Sequence, residues 1–211
     1  MIRRAPVTMM LLVVIAIVFA FEVMTDPTFS EETLIRLGAI LPWTMVAQRG
    51  EYWRLVAAMF LHAGWLHWAV NSWALYQLGM LYESLFGSPR FALIYVASGL
   101  CASLASSMAG HGPAVGASGA IFGILGAFIF SIRRSPQYRH QPWTRGLIGQ
   151  LIFWILVNIG IGLSFKFIDN VAHMAGLAVG LLLGFLPHRV PPPPPRNLVI
   201  DVASVPPENQ P

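Results

Sequence analysis

Long apolar runs separated by short polar segments dominate this sequence. Six of these runs come close to the roughly 20 residues that a helix needs to cross the hydrocarbon core of a bilayer. They lie at residues 7–24, 63–83, 90–108, 115–132, 147–165 and 170–187. The pattern therefore predicts six transmembrane helices. The first is predicted to stay uncleaved, because its apolar stretch exceeds that of a secretory signal peptide and no convincing cleavage site follows it.

Two segments depart from this pattern. In residues 25–61, seven charged residues alternate with Leu, Ile and Trp, which is too polar for a span and too apolar for a solvated linker. We expect a long structured loop at the membrane surface there. Residues 189–211 contain five consecutive prolines, from Pro191 to Pro195. A disordered cytoplasmic tail is predicted after a membrane domain at residues 1–188.

The composition excludes most soluble classes of protein. Of the 211 residues, 56% are hydrophobic and 10% are charged, whereas soluble domains carry about 25% charged residues. The single Cys101 excludes an intrachain disulfide and is expected to be a buried apolar residue. The net charge of +4 comes from basic residues that mostly flank the apolar runs, so nucleic acid is not an expected partner.

The distribution of basic residues predicts how the chain is oriented. If six spans place both termini on one side, nine of the thirteen basic residues lie on that side. These nine are Arg3, Arg4, Arg90, Arg133, Arg134, Arg139, Arg145, Arg189 and Arg196. The positive-inside rule then predicts cytoplasmic termini. In that orientation the second, fourth and sixth spans all begin at the outer face.

Polar side chains near the outer ends of those three spans indicate a functional site, because such groups are costly to bury in lipid. His67 and Asn71 lie in the second span, Ser118 begins the fourth and His173 lies in the sixth. Each falls about three to eight residues from the outer end of its span, or roughly 5–12 Å deep. His67 and Asn71 are four residues apart and so share one helix face.

Glycines on the fourth and sixth spans favour close contact between these two helices. They are Gly116, Gly119, Gly123, Gly126, Gly176, Gly180 and Gly184. Such contact would bring Ser118 and His173 within reach of a hydrogen bond, as a nucleophile and its general base. Backbone N–H groups at the start of the helix, with His67 and Asn71, are candidate oxyanion donors.

Two alternatives stay open at this point. Ser118 could simply pack in a seam of small residues while His173 is a hydrogen-bonded buried group. Asp169, four residues before His173, is an alternative group to orient the imidazole.

The sequence resembles the rhomboid family of intramembrane serine proteases over residues 53–184. Gly116-Ala117-Ser118-Gly119 resembles the GxSG nucleophile motif, and the segment from Ala172 through His173 and Gly176 to Gly180 resembles AHxxGxxxG. Three further motifs have their counterparts here: HxxxxHxxxN in His62, His67 and Asn71, WR in Trp53 and Arg54, and GxxxExxxG in Gly79, Glu83 and Gly87.

The resemblance implies an all-α integral membrane protein with a six-helix rhomboid-like bundle and a long outer loop between the first two spans. It implies a serine endopeptidase that cleaves transmembrane protein substrates in or near their spans through a Ser118–His173 dyad and a covalent acyl-enzyme. The oxyanion site would comprise His67, Asn71 and the Ser118 backbone. No cofactor or metal is implied, and membrane lipid is the other expected partner. Supporting roles are implied for Trp53, Arg54, His62, Glu83, Gly116, Gly119, Phe122, Gly176 and Gly180.

The same resemblance predicts features outside the dyad. Phe122 stands four residues after Ser118, where well-known relatives have Tyr, so a ring can stack on His173 without a phenolic hydroxyl. Lateral substrate entry is implied between the second and fifth spans, with Trp73, Phe153 and Trp154 as candidate gate residues. The expected location is a prokaryotic plasma membrane, with the site near its outer face.

Three rival functions make different predictions. An inactive rhomboid-like binding protein would usually have lost the serine or the histidine. A transporter or channel would carry polar residues through to the inner face, but residues 119–129 and 176–186 are apolar. A zinc metalloprotease would need a motif such as HExxH, which this sequence lacks.

Overall fold

Helices form the regular secondary structure of the computed structural model, which describes residues 5–110, 112–165 and 168–187. Within that part of the chain there is no strand, and one isolated antiparallel bridge joins Ile40 and Ala114. The predicted tail at 189–211 lies outside the described residues. The helices are α1 (Pro6–Thr25), α2 (Glu31–Leu37), α3 (Trp43–Arg49), α4 (Arg54–Ala57), α5 (Trp65–Phe86), α6 (Ser88–Ala109), α7 (Ser118–Arg134), α8 (Thr144–Ser164) and α9 (Asn170–Phe185).

Six of these helices are long, and each coincides with a predicted apolar run to within a few residues. Three of the described helices, α1, α6 and α8, are both long and apolar enough to cross a membrane. The prediction of an all-helical membrane protein is thus confirmed. Helix α9 is apolar but has 16 residues, and α7 has 17, which is short for a bilayer. The count of six spans therefore stays a prediction.

Helix α7 lies at the centre of the bundle and packs against α9 through backbone contacts. A Cβ atom added at Gly176 or Gly180 would overlap the carbonyl oxygen of Gly119 or Gly123. A Cβ atom at Gly184 would come within 2.6 Å of the Ala127 carbonyl oxygen. The glycines therefore allow an approach that a side chain would prevent.

Helix α1 is attached to α5 through the buried carboxyl group of Glu83. This group accepts hydrogen bonds from the backbone nitrogens of Val7 (3.0 Å) and Thr8 (2.8 Å) and from the Thr8 hydroxyl (2.7 Å). All three donors belong to the first turn of α1, where N–H groups have no partner within the helix. Glu83 thereby supplies, from a neighbouring helix, hydrogen-bond acceptors for the N–H groups at the start of α1.

Replacing Glu83 by leucine is expected to lower the free energy of unfolding by about 2–4 kcal/mol, because buried donors lose their acceptor. Glu83→Gln keeps one acceptor oxygen and should lose roughly half as much. Thermal unfolding in detergent measures both variants. If Glu83→Leu were as stable as the parent, the attachment of α1 through this carboxyl group would be wrong.

The segment between α1 and α5 is held by Arg54, which is 4% exposed. Its guanidinium donates to the carbonyl oxygens of Ile35 (2.5 Å) and Ala39 (3.2 Å) and to Glu51 (2.8 Å). The hydrogen bond from Arg54 lowers the pKa of Glu51. Trp53 lies over the guanidinium, whose central carbon is 4.8 Å from the ring centroid. The segment is thus structured and contains α2, α3 and α4, while its place on the outer face stays a prediction.

The expectation that Cys101 is buried is wrong. Its side chain is exposed, while its neighbours Ala102 and Ser103 are buried. Helix α6 turns one face toward α7 and α9, and position 101 falls on the opposite face. In a span that is apolar on all sides, hydrophobicity does not distinguish a lipid-facing position from a buried one.

Candidate active site

Ser118 and His173 meet where the first turns of α7 and α9 cross. The distance between Ser118 Oγ and His173 Nε2 is 2.8 Å, and His173 is 6% exposed. If the hydroxyl donates this hydrogen bond, the neutral imidazole carries its proton on Nδ1. This Nδ1 atom is buried and has no hydrogen-bond partner among the described residues. The geometry is that of a serine–histidine pair without a third orienting side chain.

Phe122 fixes the plane of the His173 ring. The two rings stack with centroids 4.2 Å apart and an interplanar angle of 5°. Phe122 follows Ser118 by one helical turn, so α7 supplies both the hydroxyl and the surface on which the imidazole rests. Stacking orients the ring without adding a charge or a hydrogen bond to it.

The turn before α7 presents the serine at the start of the helix. Gly116 has φ +130°, a backbone conformation that favours glycine, and its N–H donates to the Ala58 carbonyl oxygen at 2.8 Å. Ser118 is the first residue of α7, so its backbone N–H has no acceptor within the helix. This end of α7 also carries the positive pole of the helix dipole.

His67 faces the same turn from α5. A Cβ atom added at Gly116 would lie 2.8 Å from His67 Nε2 and 3.8 Å from Ser118 Oγ. The Ala63 backbone N–H donates to His67 Nδ1 at 3.3 Å, so Nδ1 is the unprotonated nitrogen. Nε2 of the neutral ring therefore carries the proton. His67 thus presents an N–H donor beside Ser118.

Asn71 lies one turn further along α5 and is 5% exposed. Its amide nitrogen donates to the His67 carbonyl oxygen at 2.9 Å. One of its two N–H groups is therefore engaged within the helix, while the other has no hydrogen-bond partner among the residues that the structure describes.

Asp169 holds the beginning of α9 and does not orient the imidazole. One carboxylate oxygen accepts the Ala172 N–H at 2.9 Å as an N-cap, and the other accepts a hydrogen bond from the Ser106 hydroxyl. The sequence did not predict a role for Ser106. Its position among the small residues of α6 is the one feature of the sequence that could have indicated such a role. Asp169 and Ser106 together fix the turn from which His173 projects.

His62 precedes α5 and is fully buried. Its Nδ1 lies 3.2 Å from the Phe60 carbonyl oxygen, and its ring centroid is 5.2 Å from that of His67. Burial, with a smaller effect of His67, lowers the pKa of the His62 imidazole to about 3, so the ring is neutral at physiological pH.

In the part of the chain that the structure describes, no group of three or more His, Cys, Asp or Glu side chains could hold a metal ion.

A cavity of about 30 Å³ adjoins Ser118 and is lined by Met59, Ser103, Ser106 and Asp169, among others. It is large enough for a water molecule, and its lining offers hydroxyl and carboxylate partners. Polar atoms therefore extend from Ser118 into the bundle, next to the dyad.

A cleft lies between α5 and the start of α8. It has a volume of about 520 Å³ and is lined by Leu81, Leu85, Trp143 and Leu147, among others. Further along the same two helices, Trp73 and Trp154 meet edge to face, with ring centroids 6.3 Å apart. Trp73 and Phe153 are more than half exposed. The candidate gate residues thus lie along the boundary between α5 and α8.

Comparison with known proteins identifies a family that fits this geometry. The family model described as "Rhomboid domain" matches residues 49–190. The chain is 40% identical to the rhomboid protease GluP of Bacillus subtilis (strain 168) over 149 residues, which are 71% of this chain and 28% of GluP. It is 37% identical to RHOMBOID-like protein 6, mitochondrial, of Arabidopsis thaliana over 172 residues, which are 80% of this chain and 55% of that protein.

A further relative matches the chain over nearly its whole length. The protein YdcA of Bacillus subtilis is 30% identical over 190 residues, which cover 88% of this chain and 90% of YdcA. The chain spans about a quarter of GluP and about half of the Arabidopsis protein. Residues 49–190, which the family model matches, include every residue of the candidate site described above.

Proposed function

Because this chain belongs to the rhomboid family, we propose that it is an intramembrane serine endopeptidase, which hydrolyses peptide bonds in or near the transmembrane segments of other membrane proteins. Relatives named as rhomboid proteases support a protease activity in general. The observation that carries the finer proposal is the 2.8 Å contact between Ser118 Oγ and His173 Nε2.

The proposed reaction has two halves. As Ser118 Oγ attacks the scissile carbonyl carbon, His173 Nε2 takes the hydroxyl proton. The tetrahedral intermediate collapses when His173 returns this proton to the leaving amine, and an ester on Ser118 remains. In the second half, His173 removes a proton from water as the water attacks the ester. The second peptide product is then released and the serine hydroxyl is restored.

The oxyanion of each tetrahedral intermediate is proposed to bind between α5 and α7. The protonated His67 Nε2 lies beside Gly116, in the turn that leads to Ser118. The Ser118 backbone N–H has no acceptor within α7, and the second N–H of Asn71 is a third donor. Donors that are already placed cost little reorganisation in the transition state, and each contributes several kcal/mol in a site that excludes bulk water. The dipole at the start of α7 acts in the same direction.

The proposed orientation places the site near the outer face of a prokaryotic plasma membrane, with both termini in the cytoplasm. Ser118 begins α7, while Arg133 and Arg134 end it. Basic residues favour the cytoplasmic side, so the opposite end of α7 is assigned to the outer side. Transmembrane proteins and lipid are then the proposed partners, and a substrate segment enters beside α5 and α8 and unwinds locally to reach Ser118.

The function is tested by reconstituting the chain in liposomes with single-span membrane proteins that carry a fluorescent label. Cleavage within or beside the span, located by mass spectrometry, is the expected result. Cleavage confined to soluble loops, or none by protein that keeps its helical circular dichroism, would contradict the proposal.

Replacing His67 by alanine is expected to lower kcat by about 10²–10³-fold, because one oxyanion donor is lost. KM should change little, since this donor acts mainly on the charged intermediate. Steady-state cleavage in liposomes gives both constants. His140→Ala, at an exposed position outside the helices, is the matched control. A His67→Ala enzyme with parental kcat would remove His67 from the oxyanion site.

A further inference from the structure

Glu22 is a buried acid in the otherwise apolar helix α1, and none of the roles described above uses it. Its side chain is 1% exposed, and it lies in the last turn of α1. Acidic residues inside an apolar span are costly and therefore indicate function. Glu22 is therefore a candidate for a functional role on the same grounds as Ser118 and His173.

The carboxyl group of Glu22 reaches the segment that precedes α5. Its Oε1 atom accepts a hydrogen bond from the His62 backbone N–H at 2.8 Å. This contact joins residues 40 positions apart in sequence and is buried. Glu22 thus fixes the backbone at His62 from a different helix.

The next residue carries this constraint to the active site. The Ala63 N–H donates to His67 Nδ1, and this bond places the His67 proton on Nε2, beside Gly116 and Ser118. The backbone N–H of His62 therefore binds Glu22, and the backbone N–H of the next residue, Ala63, binds His67. Movement of this segment would change both the tautomer and the orientation of His67.

The surroundings of Glu22 favour its neutral form. Neither of the two ion pairs found among the described residues involves Glu22. Its Oε2 atom is buried and lacks a hydrogen-bond partner in the described part of the chain, as does His62 Nε2. Because His62 Nδ1 faces the Phe60 carbonyl oxygen, Nε2 is an acceptor. A charged carboxylate in this place would be buried with one oxygen unpaired, which is unfavourable.

We propose that Glu22 is a positioning residue for the oxyanion site, acting as a neutral hydrogen-bonding group. It holds the 62–63 backbone in the place from which Ala63 sets the tautomer of His67. This inference rests on the proposed function for its effect on catalysis, but the effect on His67 itself is independent of catalysis. Helix α1 thereby contributes to the site although it supplies no group that touches substrate.

Two substitutions of Glu22 test whether its role requires a neutral hydrogen-bond acceptor or a negative charge. Glu22→Gln keeps a carbonyl oxygen for the His62 N–H and should retain kcat within about threefold. Glu22→Met fills similar volume but removes the acceptor, and should lower kcat by about 10- to 100-fold with little change in KM, as expected for misplacement of a catalytic group. Phe21→Met, at the neighbouring exposed position, is the control for altering α1.

The ring nitrogens of His67 provide a readout that does not need activity. In ¹⁵N NMR of histidine-labelled protein, the parent and Glu22→Gln should show His67 protonated on Nε2 alone, while Glu22→Met should show a mixture of tautomers. His67→Gln identifies the resonance. If Glu22→Met left the His67 signals unchanged, or if Glu22→Gln were as impaired as Glu22→Met, the proposal would be overturned. If the parent lacked protease activity but Glu22→Met still changed the His67 tautomers as expected, only the proposed function would be refuted.

Discussion

Replacing Ser118 by alanine is expected to lower kcat for cleavage of a transmembrane substrate by at least about 10⁴-fold. In serine proteases, removal of the nucleophile costs about this much or more, because the general base has no other group to activate. The fold should be preserved, since the Ser118 side chain is half-buried and, among the described residues, makes one hydrogen bond, to His173. Substrate binding should therefore persist, and the variant should still bind the uncleaved substrate in liposomes.

Ser84→Ala is the matched control, because within the described part of the chain this partly exposed serine of α5 bonds only the Leu81 carbonyl oxygen of its own helix. Cleavage products are quantified by mass spectrometry in both variants and the parent. A Ser118→Ala protein with more than about one hundredth of parental kcat would show that another group is the nucleophile.

Replacing Gly176 by alanine is expected to lower both stability and activity strongly. The added Cβ would overlap the carbonyl oxygen of Gly119, a backbone atom one residue from Ser118, so α7 and α9 would have to separate. Overpacking of this kind costs about 1–3 kcal/mol or more. A displacement of about 1 Å between Ser118 and His173 would lower kcat by about 10²-fold.

Alanine is otherwise favoured over glycine in a helix by about 1 kcal/mol, so the expected loss runs against helix propensity. Gly149→Ala is the matched control, because a Cβ at this position of α8 meets no atom within 4 Å. Thermal unfolding in detergent and kcat in liposomes should be unchanged or improved for Gly149→Ala. If both alanine variants behaved alike, close α7–α9 contact would not be what holds the dyad together.

The features of this molecule that can be predicted from its sequence are those that follow from the cost of burying polar groups in lipid. Ser118, His173, His67 and Asn71 are conspicuous because few polar residues interrupt the apolar runs. Spacing of the glycines likewise predicts which two helices approach closely, since only small residues permit backbone contact. Both signals are local, and both can be read without knowing how the other helices are arranged.

Other features depend on pairings that no local pattern specifies. The bond between Ser106 and Asp169 joins α6 to α9, and Arg90 of α6 donates to the Leu183 carbonyl oxygen at the end of α9, at 2.9 Å. These partners are distant in sequence, and their contact follows from the packing of whole helices. Cys101 was misplaced for the related reason that an apolar helix does not reveal its lipid-facing side.

The most direct test of Ser118 as an activated nucleophile is labelling of the folded protein with a fluorophosphonate, followed by mass spectrometry of the modified peptide. One adduct for each chain is expected, on Ser118, with little labelling of His173→Ala because the hydroxyl then has no base. Equal labelling of the parent and of Ser118→Ala would contradict the assignment of Ser118.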